Sequence, residues 1–557
     1  MTKPRFQPRS AIRLSRRQVL AAAAAGAGAA ITGCTTGRSG PGGPIHLTKN
    51  TLHYAINSDP TSLDPATVED GMTIDLLQQI FEGLVRWDTH NQIVPNLAAG
   101  WTVSKDLTRY TFHLRPDIKF FNGRTVTAED FRWSMDRACD PAIKSPTAPT
   151  YLKDVVGAQD RIDGKADTVT GIKAIDDTTL EITIDGTKPY WMGNLTYPTA
   201  WVVCREAIER TNGAVTRDSM VGTGPFKLAE FRNGYRVVLA RNAAYHGGPP
   251  KLDFIERPVI MDGDTRLNQY IAGDCDYLEI SPSDLDRIDT SAGLKAQLHT
   301  YPRAELWYVA LNQAASGSPF VNMRVRQAIA LAINKQEVVR IALRNTCDVA
   351  NSIVPPEVPG YAPHIKPMSF DPAAARSLLA QAGFAGGKGF PALPFAFRQD
   401  QPEVADVAQV IAAQLKTNLG ITLQLKPMEW TQLLQERLQK TLAIYIIRWA
   451  ADYLDPQDFL SVLLHTSHLV NGQEDHPENG VGYSNPVFDK LCDEADTCIN
   501  PRQRFAWYAQ AEQIAVNEAP WVPLYFRRAL ELDKPRLHGI RDSVFGHLPH
   551  TTTWVSG

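Results

Sequence analysis

Residues 403–447 read EVADVAQVIAAQLKTNLGITLQLKPMEWTQLLQERLQKTLAIYII. Val404, Val407, Ile411, Leu415 and Leu419 recur at the three-and-four spacing of a single helix face, and Gly420 closes that helix. An apolar strand follows at Ile421–Leu425, then a helix from Trp430, then a second apolar strand at Leu442–Ile447. Two strands joined through a helix imply a mixed or parallel sheet with helices on its faces. Working outward, Thr108–Leu114 alternates with Tyr110, Phe112 and Leu114 on one side, and Thr179–Ile184 repeats the pattern; both predict half-buried strands. Asp371-Pro372 opens a further helix that Gly383 ends. The fold class is α/β. The roughly 520 residues that follow the N-terminal leader are too many for one core, so two or three lobes are expected.

The N-terminus reads as an address. Lys3, Arg5, Arg9, Arg13, Arg16 and Arg17 precede an alanine-rich apolar run, Val19–Ile31. That run is too short for a bilayer span of about 20 residues, so residues 1–33 are expected to be a signal peptide. Arg16-Arg17 resembles a twin-arginine export signal, with Val19 where an aromatic is usual. Ile31-Thr32-Gly33-Cys34 resembles a lipobox, making Cys34 the expected lipidated first residue, ahead of a flexible tether at 35–44.

The chain holds 57 basic and 60 acidic residues; without the six basic residues of the leader, 51 face 60, a net charge of about −9. That balance argues against nucleic acid or an anionic membrane surface as partner. The six remaining cysteines form no CxxC pair and lack a histidine cluster, so no metal site is expected; thiols or disulfides both fit. There is no G-x-S-x-G, H-E-x-x-H or G-x-x-x-x-G-K-[ST] motif, and Gly222-Thr223-Gly224-Pro225 reads as a turn. Binding is favoured over catalysis, with no catalytic residue and no cofactor expected.

Six blocks in order carry a resemblance: Ser62-Leu63-Asp64-Pro65; Phe81-Glu82-Gly83-Leu84-Val85 with Pro95-Asn96-Leu97-Ala98 and Trp101; Tyr110–Arg115 with Lys119-Phe120 and Asn122-Gly123; Thr127-Ala128-Glu129-Asp130; Gly222–Phe226 with Arg241-Asn242 and Tyr245; and Arg324–Ile329 with Ala332-Ile333-Asn334. They resemble the large extracytoplasmic solute-binding proteins of dipeptide and oligopeptide ABC importers. The resemblance implies a large type II periplasmic-binding-protein-like fold: two hinged lobes plus an extra domain inserted in the N-terminal lobe. Residues 45–85, 200–304 and 521–557 would form the N-terminal lobe, 86–199 the insert and 305–520 the C-terminal lobe. The implied partners are a short peptide, the permease and ATPase subunits of an importer, and the membrane through Cys34, for an extracytoplasmic monomer.

Trp449-Ala450-Ala451-Asp452-Tyr453-Leu454-Asp455-Pro456 matches the W-x-x-D-Y-x-x-P motif of such peptide binders. By resemblance Asp452 pairs with the peptide α-ammonium, and a carboxylate in a closed cleft selects for a cation. Ala450 and Ala451 would offer backbone groups, Asp455 would cap the next helix, and Trp449, Trp430 and Tyr151 would wall side-chain pockets. Tyr453 completes the motif. Arg448 adjoins it, but alternation from Ile447 points it away, which leaves the ligand's carboxylate partner open. The competing expectations are a non-peptide solute (nickel chelate, haem or oligosaccharide) and a secreted peptide hydrolase.

Overall fold

The computed structural model describes residues 45–468 and 479–557; the expected signal peptide, Cys34 and the tether lie outside the described residues. The deciding stretch folds as its periodicity predicts. In the helix Pro402–Leu419, Val404, Val407, Ile411 and Leu415 are fully buried, and Gly420 ends it at a φ of +73°. The following strand is Leu423–Met428, starting two residues late because the Ile421 N–H still bonds back to the Leu415 carbonyl (3.3 Å) in the helix cap. The helix Trp430–Leu438 leads to the strand Ile444–Ala450. Leu393–Arg398 pairs in parallel with both strands, as a helical crossover requires.

These strands belong to a seven-stranded sheet: Tyr277–Ile280, Trp521–Asp533, Leu298–Leu311, Ile444–Ala450, Leu393–Arg398 and Leu423–Met428 in that order, with Asp348–Val349 beside Trp521–Asp533. Its two faces carry separate cores. Tyr445 and Ile447 join one with the helices Pro486–Thr497 and Pro501–Glu518; Ile444 and Ile446 join the other with Met323–Ala332, Lys335–Ala342, Pro372–Gln381 and Pro402–Leu419. Each fully buried aliphatic side chain there contributes about 1.5–3 kcal/mol.

The other lobe is built on a four-stranded sheet, Thr51–His53, Phe254–Pro258, Arg236–Arg241 and Phe226–Arg232. Between its first two strands in sequence, a separate antiparallel sheet forms from Ala98–Val103, Arg109–Leu114, Thr179–Thr183 and Ile172–Asp176. Phe112, Leu180 and Ile182 face the helix Ala128–Ala138, whose Phe131 and Met135 are fully buried. Gly222 passes so close to the first lobe's backbone that a Cβ there would sit 2.0 Å from the Ile80 carbonyl oxygen, so that turn admits no side chain.

Two strands run from lobe to lobe. Leu298–Pro302 pairs with Arg528–Leu532 beside Tyr277–Ile280, while Leu306–Ala310 pairs with Trp521–Phe526 beside Ile444–Ala450, and the register shifts between Pro302 and Leu306. The boundary expected at 521 therefore precedes a strand whose first half packs in the second lobe's cores. Cys139, Cys204, Cys275, Cys347, Cys492 and Cys498 are free thiols.

Candidate functional site at the junction of the lobes

Asp452 stands in the turn between the strand Ile444–Ala450 and the short helix Pro456–Phe459. Its backbone N–H donates to Asp458 Oδ2 (3.0 Å), and the Trp449 indole N–H donates to the same oxygen (3.2 Å). Asp455 caps the helix by accepting the Gln457 N–H (3.0 Å), and Arg504 grips its carboxylate through two nitrogens (2.6 and 2.7 Å). Buried groups thus hold the turn at three points, which fixes the direction in which the Asp452 side chain leaves the backbone.

The inserted domain supplies the opposite wall. The Tyr151 hydroxyl donates to Asp452 Oδ2, and the Tyr151 ring stacks on Tyr197 with centroids 3.8 Å apart. Tyr453 lies near-parallel to Tyr190 (6.2 Å) and spends its hydroxyl on Gln457 Oε1. Gly193 allows this approach, since a Cβ there would come 2.7 Å from the Tyr453 Cβ. Tyr151, Tyr190, Tyr197 and Tyr453 form one buried cluster, three from the insert and one from the second lobe.

Burial, and then the neighbouring Asp452 carboxylate, push the Asp458 carboxyl well above the usual range. Burial also raises the Tyr151 and Tyr197 phenols, with Asp452 acting in the same direction, so both stay neutral. The Tyr151 and Tyr197 phenols thus border the Asp452 carboxylate in neutral form.

Of the residues expected from sequence, Asp452, Trp449, Tyr453 and Tyr151 come together here. Trp430 packs on the same core as Trp449, with the Arg398 guanidinium 4.4 Å from its ring centre. Arg448 does not join them: it lies on the face opposite Trp449 and pairs with the buried Glu305 (3.1 Å), which also accepts the Trp307 indole N–H (2.5 Å). Ala450 lies opposite Glu305 in the ladder, and the Ala451 N–H is donated to the Ala304 carbonyl (2.8 Å). The Ala451 N–H is thus spent in the sheet, which extends one rung further than the motif suggests. Sequence reading missed Tyr190, Tyr197 and Asp458; only Asp458, six residues past Asp452 on the motif's own helix, carried a local signal.

Among the described residues, Glu531, Asp542 and His547 form a group that could hold a metal ion. Arg303 already fills that role as a cation, 2.5 Å from Glu531 and 2.9 Å from Asp542. The cluster reads as a buried ion pair of the crossover strands.

Comparison with known proteins agrees with this geometry. The model of the bacterial extracellular solute-binding proteins, family 5 Middle, matches residues 92–471. A probable deoxycholate-binding periplasmic protein of Escherichia coli (strain K12) is 30% identical over 511 residues, 89% of this chain and 92% of that one. The periplasmic oligopeptide-binding protein of Salmonella typhimurium is 31% identical over 518 residues, covering 90% and 91%. The solved structure of the Escherichia coli murein tripeptide binding protein superposes with a TM-score of 0.81 at 27% identity, covering 91% of this chain and 99% of that one. The two-lobed α/β architecture with its insert is the type II periplasmic-binding fold expected from the sequence. The chain belongs to the family 5 bacterial extracellular solute-binding proteins.

Proposed function

We propose that this protein captures short peptides between its lobes outside the cytoplasm and delivers them to an ABC importer, catalysing no reaction itself. The observation that carries the reading is Asp452: it sits at the meeting of the second lobe and the insert, inside the motif beginning at Trp449, and accepts a hydroxyl from across the junction. The peptide α-ammonium docks against that carboxylate, Trp449 and Trp430 border side-chain pockets, and the crossover strands flex to close the lobes. Cys34 anchors the chain to the membrane, and the lobes divide near the bulge at Pro302–Leu306. Relatives named for oligopeptides and for a murein tripeptide support this reading, whereas the deoxycholate-binding relative makes an anionic ligand the alternative outcome.

Mass spectrometry of small molecules released from the natively purified protein tests it, followed by calorimetry with the species found. Peptides with free N-termini should dominate and rebind; recovery of a bile acid or haem alone, with no peptide binding, overturns it. Replacing Cys34 by Ala should release the protein from the membrane fraction without changing its affinity; retention after a salt wash overturns the anchor.

A further inference from the structure

The strand Leu393–Arg398 ends at the same edge of the sheet as Ile444–Ala450, because the two run parallel with Phe395 beside Ile444 and Ala396 beside Tyr445. Counting on in that register sets Arg398 level with Ile447, and Trp449 is the next residue along on the same face. Ala396, Tyr445 and Ile447 lie in one core, so alternation puts Arg398 and Trp449 on that side too. The neighbouring strand, Leu423–Met428, pairs Met428 with Arg398 and leads to Trp430 at the start of its helix. Three carboxyl-terminal strand ends thus bring Trp449, Arg398 and Trp430 to one edge, with Asp452 three residues beyond Trp449. Ligands of parallel α/β sheets settle outside such ends.

The Arg398 side chain is 12% exposed, and two contacts fix its plane. Its guanidinium lies 4.4 Å from the Trp430 ring centre; its Nε donates to Asp400 Oδ1 (2.8 Å) and its Nη2 to Oδ2. Asp400 therefore takes one edge of the fork. The other edge consists of Nη1 and the second N–H of Nη2. Among the described residues no acceptor meets it, and Nη1 is not sealed from solvent. Burial works against ionisation of Asp400, yet Arg398 and then Arg448 hold its carboxyl below the usual range, so that charge is already answered.

We propose that the outer edge of Arg398, backed by the Trp430 ring, receives a carboxylate of the bound peptide and makes the protein selective for ligands that carry one there. This rests on the peptide-binding reading above. A guanidinium edge matches both oxygens of a carboxylate at once, which the point charge of a lysine does not. Trp430 and Asp400 hold the plane before the ligand arrives, so little side-chain freedom is lost on binding. Arg448, turned to Glu305, leaves this role unfilled.

The carboxylate can be the ligand's C-terminus or an acidic side chain, since both present the same two oxygens. A purely structural Arg398, bracing Trp430 and Asp400, would be indifferent to either.

Calorimetry of the full chain tests this and separates the two sources. Tri-alanine is compared with its C-terminal amide, and Ala-Glu-Ala amide with Ala-Gln-Ala amide, on wild type, Arg398→Gln and Arg398→Lys. In wild type the carboxylate member of one pair should bind about tenfold to hundredfold more tightly, the range of hydrogen bonds to a charged group. A difference in the first pair assigns the C-terminus, and one in the second assigns the side chain. Arg398→Gln should erase the difference by weakening the carboxylate member toward its amide, and Arg398→Lys should keep only part of it. Wild type that binds both members of each pair alike overturns the proposal while leaving peptide capture intact, and that outcome needs no variant. A preference that survives in Arg398→Gln places the carboxylate elsewhere and also overturns it, as does a variant that weakens all four peptides equally. Failure of wild type to bind any of the four removes the peptide reading and this proposal together.

Discussion

The two lobes meet at a hinge made of backbone and at a mouth made of side chains, and the two ends treat charge differently. At the hinge, Leu298–Leu311 and Trp521–Asp533 run unbroken between lobes. Arg303, 7% exposed beside the bulge, donates to Glu531 (2.5 Å), Asp542 (2.9 Å) and the Ser543 carbonyl (2.9 Å), and His547 lies 3.2 Å from Glu531. Its cation and anions are matched inside the fold. At the mouth, the Asp452 carboxylate accepts a phenol hydroxyl, and Asp458 accepts an amide and an indole N–H. A saturated ion cluster holds structure together, so the hinge is the fixed end; the mouth is where we propose that the ligand binds.

The largest effect should come from breaking the fixed end. Arg303→Met deprives the buried Glu531 and the half-buried Asp542 of the guanidinium that pairs with both, a loss of about 3–5 kcal/mol. A fall in thermal midpoint should be plain in the ligand-free protein; an unchanged midpoint would show that the cluster is dispensable.

A buried carboxyl within one lobe sharpens the contrast. Glu512 accepts the N–H groups of Ile353 (2.7 Å) and Val354 (2.8 Å), and burial pushes it up to about 7. A carboxyl raised in the folded state contributes fully below its unfolded value near 4.5, and that contribution is lost as pH rises to about 7, by up to about 3 kcal/mol. Denaturation at pH 4.5 and pH 7 should show this fall, and Glu512→Gln should reduce it. Its titration should be indifferent to ligand, because its partners belong to the same lobe.

The smallest effect concerns the neutral side of the mouth. Tyr151→Phe removes one hydroxyl from Asp452 and leaves the stack on Tyr197. Affinity should fall about threefold to tenfold, the net worth of one ordinary hydrogen bond, with the ligand-free midpoint unmoved. A midpoint that drops while affinity holds would make Tyr151 a structural strut.

Much of the fold was legible because its signals are local. The spacing of Val404, Val407, Ile411 and Leu415 contains the helix, and Tyr110, Phe112 and Leu114 contain a strand face. Asp455 announced its cap through the proline that follows it. Alternation likewise turned Arg448 away from Trp449, which its bond to Glu305 explains. What stayed hidden depends on partners far apart in sequence. Tyr151, Tyr190 and Tyr197 meet Tyr453 only after the lobes assemble, and no periodicity encodes that. The motif likewise does not reveal that the Ala451 N–H bonds to the Ala304 carbonyl in the next strand. Asp458 is set apart only by its burial and its bonds to the turn, which the sequence does not show.

The central claim is that Asp452 receives the ligand's ammonium, and a four-way calorimetric cycle tests it most directly. Wild type and Asp452→Asn are each titrated with a free peptide and its N-acetylated form. Removing either partner should cost about 2–5 kcal/mol, roughly 30-fold to several-thousandfold in affinity. Acetylation should cost the variant little more, because both changes remove the same interaction. Additive losses, or no loss on acetylating the peptide for wild type, would contradict the account and leave Asp452 a structural residue of the turn.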